Sequence, residues 1–190
     1  MIITKYNIVL GSNSPRRRDI LTQMGIKFEV RVCEEEEKFS ANLKGKEVSE
    51  YLAIQKAMFL KDSIKNGELL ITADTIVCND NNILTKPVDK KEAYKMLNSL
   101  SGKFHKVITS VCLYSIKKKV VFSEETLVRF SDLDDEIIFH YIEKNCPFDK
   151  AGSYGIQDWI GLIGIDEING SYSNVVGLPS SKLFQKIRKF

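Results

Sequence analysis

Asn7-Ile8-Val9-Leu10-Gly11-Ser12-Asn13-Ser14-Pro15-Arg16-Arg17 reads as a strand, a polar loop and the start of a helix. The aliphatic run Ile8-Val9-Leu10 suits a short buried strand, and Gly11-Ser12-Asn13 is a turn signal. Ser14 stands where an N-cap is expected, and Pro15 where the first helical residue loses nothing by lacking an N–H. The helix should carry Ile20, Leu21 and Met24 on one face and stop at Gly25.

Outward from this unit, residues 26–33 alternate as a second strand and lead into the acidic run Glu34-Glu35-Glu36-Glu37. A long helix is expected over about 46–64, with Val48, Leu52 and Phe59 along one stripe and an end near Asn66-Gly67. Residues 69–78 form an apolar strand interrupted by Asp74, and a hairpin-type turn follows at 79–82. Asp89 caps a helix bearing Ala93, Met96, Leu97 and Leu100. Residues 106–115 and 120–130 read as a hairpin over Lys117–Lys119, and 133–143 as a helix with acids in its first turn. A glycine-rich stretch over 151–179 and a terminal helix close the chain. Parallel crossovers mixed with hairpins predict one mixed sheet flanked by helices, an α/β fold in a single domain over 1–190.

The 190 residues, with 43% hydrophobic and 28% charged, suit one domain with its own core. A formal charge of +3 is too mild for a general nucleic-acid binder, and the basic clusters at Arg16–Arg18, Lys117–Lys119 and Lys186–Lys189 suit solvated faces. The cysteines at 33, 78, 112 and 146 form no CxxC pair, so reduced, buried thiols in a cytoplasmic protein are expected. No signal peptide is recognised, and no apolar run approaches the ~20 residues of a membrane helix.

Six features are candidates to carry chemistry. A glycine turn before a helix N-terminus, with Arg16 and Arg17 in the first turn, is a ready anion site. By itself it is equally a plain Ser-Pro helix start with two surface arginines. Asp74 lies in Ile71-Thr72-Ala73-Asp74-Thr75-Ile76-Val77, where a carboxylate is costly unless paired, hydrogen-bonded or metal-bound. It is a candidate general base or metal ligand, against a structural Asp serving a nearby turn. Lys56 lies beside the apolar stripe of its helix and either snorkels outward or points into a polar cleft. Lys86 nears Asp74 if the 79–82 turn folds the chain back, and is otherwise a surface lysine before a proline. The run 34–37 can supply Mg²⁺ ligands, against a solvated acidic loop, and Gln157 has an amide able to pair with both N3–H and O4 of a uracil or thymine, against a plain glutamine in a turn.

The segments Ser12-Asn13-Ser14-Pro15-Arg16-Arg17, Ala73-Asp74-Thr75, Lys86-Pro87, Leu100-Ser101-Gly102-Lys103 with His105, Asp149-Lys150-Ala151-Gly152 with Tyr154-Gly155-Ile156-Gln157, and Gly170-Ser171-Tyr172 running into Val176-Gly177-Leu178-Pro179 carry a resemblance. Over almost its whole length the chain resembles the Maf (septum-formation) nucleotide pyrophosphatases. The resemblance implies a Maf/Ham1-like fold with two lobes around a nucleotide-binding cleft. It implies hydrolysis between the α- and β-phosphates of a nucleoside triphosphate, aided by a divalent cation, Mg²⁺ or Mn²⁺. It places the catalytic base on Asp74, phosphate handling on Ser12, Arg16, Lys56 and Lys86, and metal ligation on Glu37 and Asp74. Arg16, Thr75 and Gln157 fall on the positions that set base preference and look like the subgroup acting on dTTP and UTP. The chain departs from the family pattern at Thr72, at Thr85 and at Asp158-Trp159-Ile160, the last bearing on the base pocket.

The expected partners are a nucleoside triphosphate and neither a membrane nor a stable nucleic acid; a homodimer is compatible with the resemblance. The competing class is a non-catalytic nucleotide- or nucleic-acid-binding regulator of cell division, which would use the same anion loop and basic clusters.

Overall fold

The structure, a computed structural model, describes residues 4–33, 39–40, 42–80 and 82–190. Its elements run β1 (Asn7–Leu10), α1 (Pro15–Gln23), β2 (Phe28–Val30), α2 (Lys46–Leu60), β3 (Glu68–Asn79), β4 (Asn82–Leu84), α3 (Lys90–Leu100), β5 (Phe104–Tyr114), β6 (Lys119–Phe130), α4 (Asp135–Asn145), α5 (Trp159–Gly164), β7 (Ile165–Asn169), α6 (Tyr172–Val176) and α7 (Ser180–Arg188). The strands form a seven-stranded sheet in the order β2-β1-β3-β5-β6-β7, with β4 paired to β3. β1 runs parallel to both β2 and β3, while β3–β4 and β6–β7 are antiparallel. The expected mixed sheet flanked by helices is the fold observed.

Several boundaries moved. β2 keeps only three residues of the expected 26–33. α2 stops at Leu60 and passes into a 3-10 turn over Lys61–Ser63. Its buried face is Val48, Ser49, Leu52, Ala53, Ala57 and Leu60, whereas Phe59 is 37% exposed and off the stripe. Asp89 caps α3 as expected, accepting from the Glu92 amide at 2.7 Å. α4 starts two residues late because Asp134 serves as its cap, accepting from the Ile137 amide at 2.8 Å. Of the four cysteines, all free, Cys78 and Cys112 are buried but Cys33 and Cys146 are exposed.

The chain divides into two compact units, one formed by Met1–Asp74, Thr109–Glu124 and Gly177–Phe190, the other by Thr75–Ile108 and Glu125–Val176. Each has its own core. In the first, Val9 and Leu70 of the sheet meet Ala53, Ala57 and Leu60 of α2. In the second, Val77, Val107, Val128 and Phe130 pack with Leu97 and Leu100 of α3, with Ile138, Tyr141 and Ile142 of α4, and with Tyr154, Ile156 and Ile160.

An ionic clamp sits at the start of β3 in the first unit. Arg31 donates to Glu68 (2.6 and 2.8 Å), to Glu29 (2.8 and 3.0 Å) and to the Ser63 carbonyl (2.8 Å). The Arg31 hydrogen bonds, helped by the Lys65 amide, hold the Glu68 carboxyl down at about 2. Because this folded value lies below the unfolded one, the stabilisation is complete above the ordinary carboxylate range and is lost as pH falls through it towards 2. Acid unfolding should therefore show a steep loss of stability between about pH 4.5 and 2. Urea unfolding as a function of pH should show Glu68→Gln flattening that slope; an unchanged slope would contradict the clamp.

Candidate active site

In the first unit, β1 hands the chain to the Ser12 loop close beside β3. Leu10 pairs with Ile71, and the Gly11 amide donates to the Ile71 carbonyl at 2.8 Å. A Cβ on Gly11 would stand 2.6 Å from Thr72 Cγ2 and 3.0 Å from Leu60 Cδ1, so the exit needs glycine. The loop thus leaves at the carboxyl end of a parallel strand, where open α/β sheets place their ligands.

Ser14 occupies the N-cap position but makes no side-chain cap bond. Its amide instead donates to Ser12 Oγ at 3.2 Å. Arg17 Nη1 donates to the same oxygen at 3.2 Å, and Arg17 Nε donates to the Gly177 carbonyl at 2.8 Å. Ser12 is buried, and with two donors on its oxygen its O–H remains to serve as a donor. Arg17 is therefore support: it ties the first turn of α1 to the backbone at 177 and fixes the Ser12 hydroxyl. Arg16 is half-buried in the same turn.

Lys56 does not snorkel away. Its Nζ lies 2.6 Å from Asp74 Oδ1 and 3.4 Å from the Ala73 carbonyl. Thr72, two residues earlier on the strand, donates to the Ala53 carbonyl of α2 at 2.6 Å. Period-two alternation therefore turns Thr72 and Asp74 to the α2 side of β3. Both charged side chains are largely out of water, at 17% and 12% exposure. Such a pair is a poor source of net stability, since desolvation offsets much of the attraction. A packed apolar pair would hold the fold as well, which makes this pair a candidate for chemistry.

In the second unit, Val77 faces Gly152, where an added Cβ would come within 2.9 Å of Val77 Cγ2. By the same alternation Thr75, half-buried, shares that face. The β3–β4 register pairs Val77 with Leu84 and ends there, two residues before Lys86. Lys86 is exposed. The Gly152 amide donates to the Thr85 carbonyl at 3.2 Å, tying the glycine-rich segment to the residue before Lys86. Gln157 is exposed at the tip of a turn closed by the Asp158 amide donating to the Gly155 carbonyl at 3.0 Å. Glu37, the expected acidic ligand, lies outside the described residues.

Sequence reasoning missed the groups that hold this turn. Tyr141 Oη donates to Asp158 Oδ2 at 2.7 Å and accepts from the Gly155 amide at 3.1 Å. Burial, then the Asp158 hydrogen bond, pushes the Tyr141 hydroxyl far above its ordinary range, so it stays protonated. It also missed a buried pair beneath the segment: His105 Nε2 and Tyr154 Oη lie 2.7 Å apart, and burial lowers His105 to about 4, which keeps its ring neutral near pH 7. No local signal marks these partners.

Residues 7–190 match the family described as Maf-like protein, and the chain belongs to that family. A dTTP/UTP pyrophosphatase of Parabacteroides distasonis is 48% identical over 189 residues, 99% of this chain and 98% of its own length. Proteins of the same name from Phocaeicola vulgatus and Bacteroides fragilis are 47% and 44% identical, each over 98% of this chain and 97% of their own. Among solved structures, the Staphylococcus aureus Ham1 protein aligns with 66% of this chain and 72% of its own, at a TM-score of 0.48 and 15% identity.

Proposed function

We propose that the chain is a nucleoside triphosphate pyrophosphatase that hydrolyses dTTP and UTP to the nucleoside monophosphate and pyrophosphate. The observation that carries this reading is the Lys56–Asp74 pair, 2.6 Å long and largely buried, on the strand beside the Ser12 loop. The relatives named dTTP/UTP pyrophosphatase support the substrate.

Asp74 orients the attacking water and takes its proton, while Lys56 holds one oxygen of that carboxylate and lends positive charge to the phosphates. Arg16, the Ser12 O–H and the first-turn amides of α1 receive phosphate oxygens, and Lys86 adds a further positive charge. Thr75 and Gln157 read the pyrimidine, the glutamine amide matching N3–H and O4 at once.

A divalent cation, Mg²⁺ or Mn²⁺, belongs to this reading. Mg²⁺ keeps several waters and takes one or two carboxylates together with substrate phosphates. A single buried carboxylate at Asp74 fits that demand. Among the described residues no group of three or more His, Cys, Asp or Glu gathers into a cage. Asp74 and Glu37 would hold the ion, which when bound supplies Lewis-acid neutralisation of phosphate charge. Chelation with EDTA should stop pyrophosphate release from dTTP and UTP, and excess Mg²⁺ or Mn²⁺ should restore it. Turnover that survives chelation, or release of orthophosphate as the first product, would count against the proposal.

Among the described residues no helix is long and apolar enough to cross a membrane. We place the enzyme in the cytoplasm, where its substrates are made, and assign it no nucleic-acid partner; a homodimer is compatible with this reading.

A further inference from the structure

The turn that presents Gln157 is held on every side except at Gln157. Gly155 and Asp158 are its ends, and one phenol pins both: Tyr141 Oη accepts from the Gly155 amide and donates to the Asp158 carboxylate. Only a hydroxyl can accept and donate at once in that position. Lys150 Nζ lies 3.6 Å from the same carboxylate oxygen and 2.8 Å from Asp149 Oδ1, so the Asp158 carboxylate is braced from a second direction. A Cβ on Gly155 would meet that carboxylate at 2.6 Å, which keeps the two ends close. Between the ends, Ile156 is buried in the core of this unit. Beyond them, the Asp158 carbonyl accepts from the Gly161 amide at 2.9 Å and starts α5. Tyr141 itself is fully buried.

We propose that Tyr141 and Asp158 are positioning residues for base selection: their hydrogen bond fixes the 155–158 turn so that the Gln157 amide meets the nucleobase in one orientation. This rests on the assignment of base reading to Gln157 under the proposed function. Pairing with N3–H and O4 requires the amide donor and acceptor to be aligned together, so a small drift of the turn forfeits discrimination before it forfeits binding. Asp158 thereby gains a role that its departure from the family pattern did not suggest.

The test compares kcat/KM for dTTP and GTP in the parent, Tyr141→Phe, Asp158→Ala, Asp158→Asn and Gln157→Ala. Any loss of folded fraction lowers both rates alike and cancels in their ratio. Tyr141→Phe and Asp158→Ala should reduce the dTTP preference about threefold to tenfold, the range of one hydrogen bond. Asp158→Asn keeps an acceptor for the phenol and should retain the preference. A parent-like ratio in Tyr141→Phe, with Gln157→Ala reduced, overturns the brace and leaves the base reader standing. A ratio lost in Asp158→Asn as fully as in Asp158→Ala also overturns it, since charge rather than the hydrogen bond would then be at work. A parent-like ratio in Gln157→Ala removes the base reader itself and the positioning role with it.

Discussion

Asp74→Asn should lower kcat for pyrophosphate release from dTTP by about 10²- to 10⁴-fold, the span of a lost general base. The substitution is nearly isosteric. Asparagine keeps an oxygen for Lys56 Nζ, now 2.6 Å from Asp74 Oδ1, so the α2–β3 contact has a means to survive. What disappears is the negative charge and the basic oxygen. Nucleotide affinity measured in EDTA, where Asp74 has no cation to hold, should change little, or rise, because a carboxylate no longer faces the triphosphate. The melting temperature should fall, since Lys56, at 17% exposure, keeps its charge with no counter-charge beside it. Single-turnover pyrophosphate release, equilibrium nucleotide binding and thermal unfolding on the same preparation separate these claims. Parent-rate turnover would remove Asp74 from the chemistry. Lost turnover together with lost binding would instead make it a substrate anchor.

Asp74 was visible in the sequence because its cost was visible. An acid in an apolar strand needs a partner, and that need is a local signal. The strand, loop and helix over residues 7–23 were legible for the same reason: the aliphatic run, the glycine turn and Ser14-Pro15 are adjacent in the chain. Lys56 was half legible. Helical spacing put it beside the apolar stripe but did not say which way the side chain turns, and only the packing of α2 on β3 aims it at Asp74. The same spacing placed Phe59 on the stripe, where small Ala53 and Ala57 took the buried positions instead. The supporting role of Arg17 is not legible in the sequence because its partner, Gly177, lies 160 residues away. Nothing in the sequence singles out Tyr141; its hydroxyl partners, 14 and 17 residues on, belong to a turn whose geometry no local pattern encodes. The short helices α5 and α6 were lost inside the glycine-rich stretch, where helix-breaking residues hide a turn fixed by tertiary contacts.

The glycines of that stretch are not equivalent, and Gly161 is the one where a methyl group should do most harm. A Cβ there would fall on the Ile156 carbonyl, deep inside contact distance, with the carbonyl carbon and Cα of Ile156 close behind. The obstacle is backbone, which cannot swing aside as a side-chain end can. Ile156 is also 5% exposed and packed in the core, so the peptide has nowhere to retreat. Gly161→Ala should therefore cost about 3 kcal/mol, the upper part of the overpacking range. For a chain of this size that is a fall in melting temperature on the order of 6–12 °C. Gly25 supplies the control: it sits at a φ of +70° with nothing within 4 Å of an added Cβ, so its alanine variant carries backbone strain without a clash. Differential scanning calorimetry should find Gly161→Ala well below Gly25→Ala, and Gly25→Ala only slightly below the parent. The peptide displaced by the methyl group leads directly into Gln157, so at temperatures where the variant is still folded its preference for dTTP over GTP should fall as well. A variant that melts within a degree or two of the parent would show that α5 does not lie against the Ile156 carbonyl. One that melts low but keeps its base preference would detach the stability of the turn from its role in reading the base.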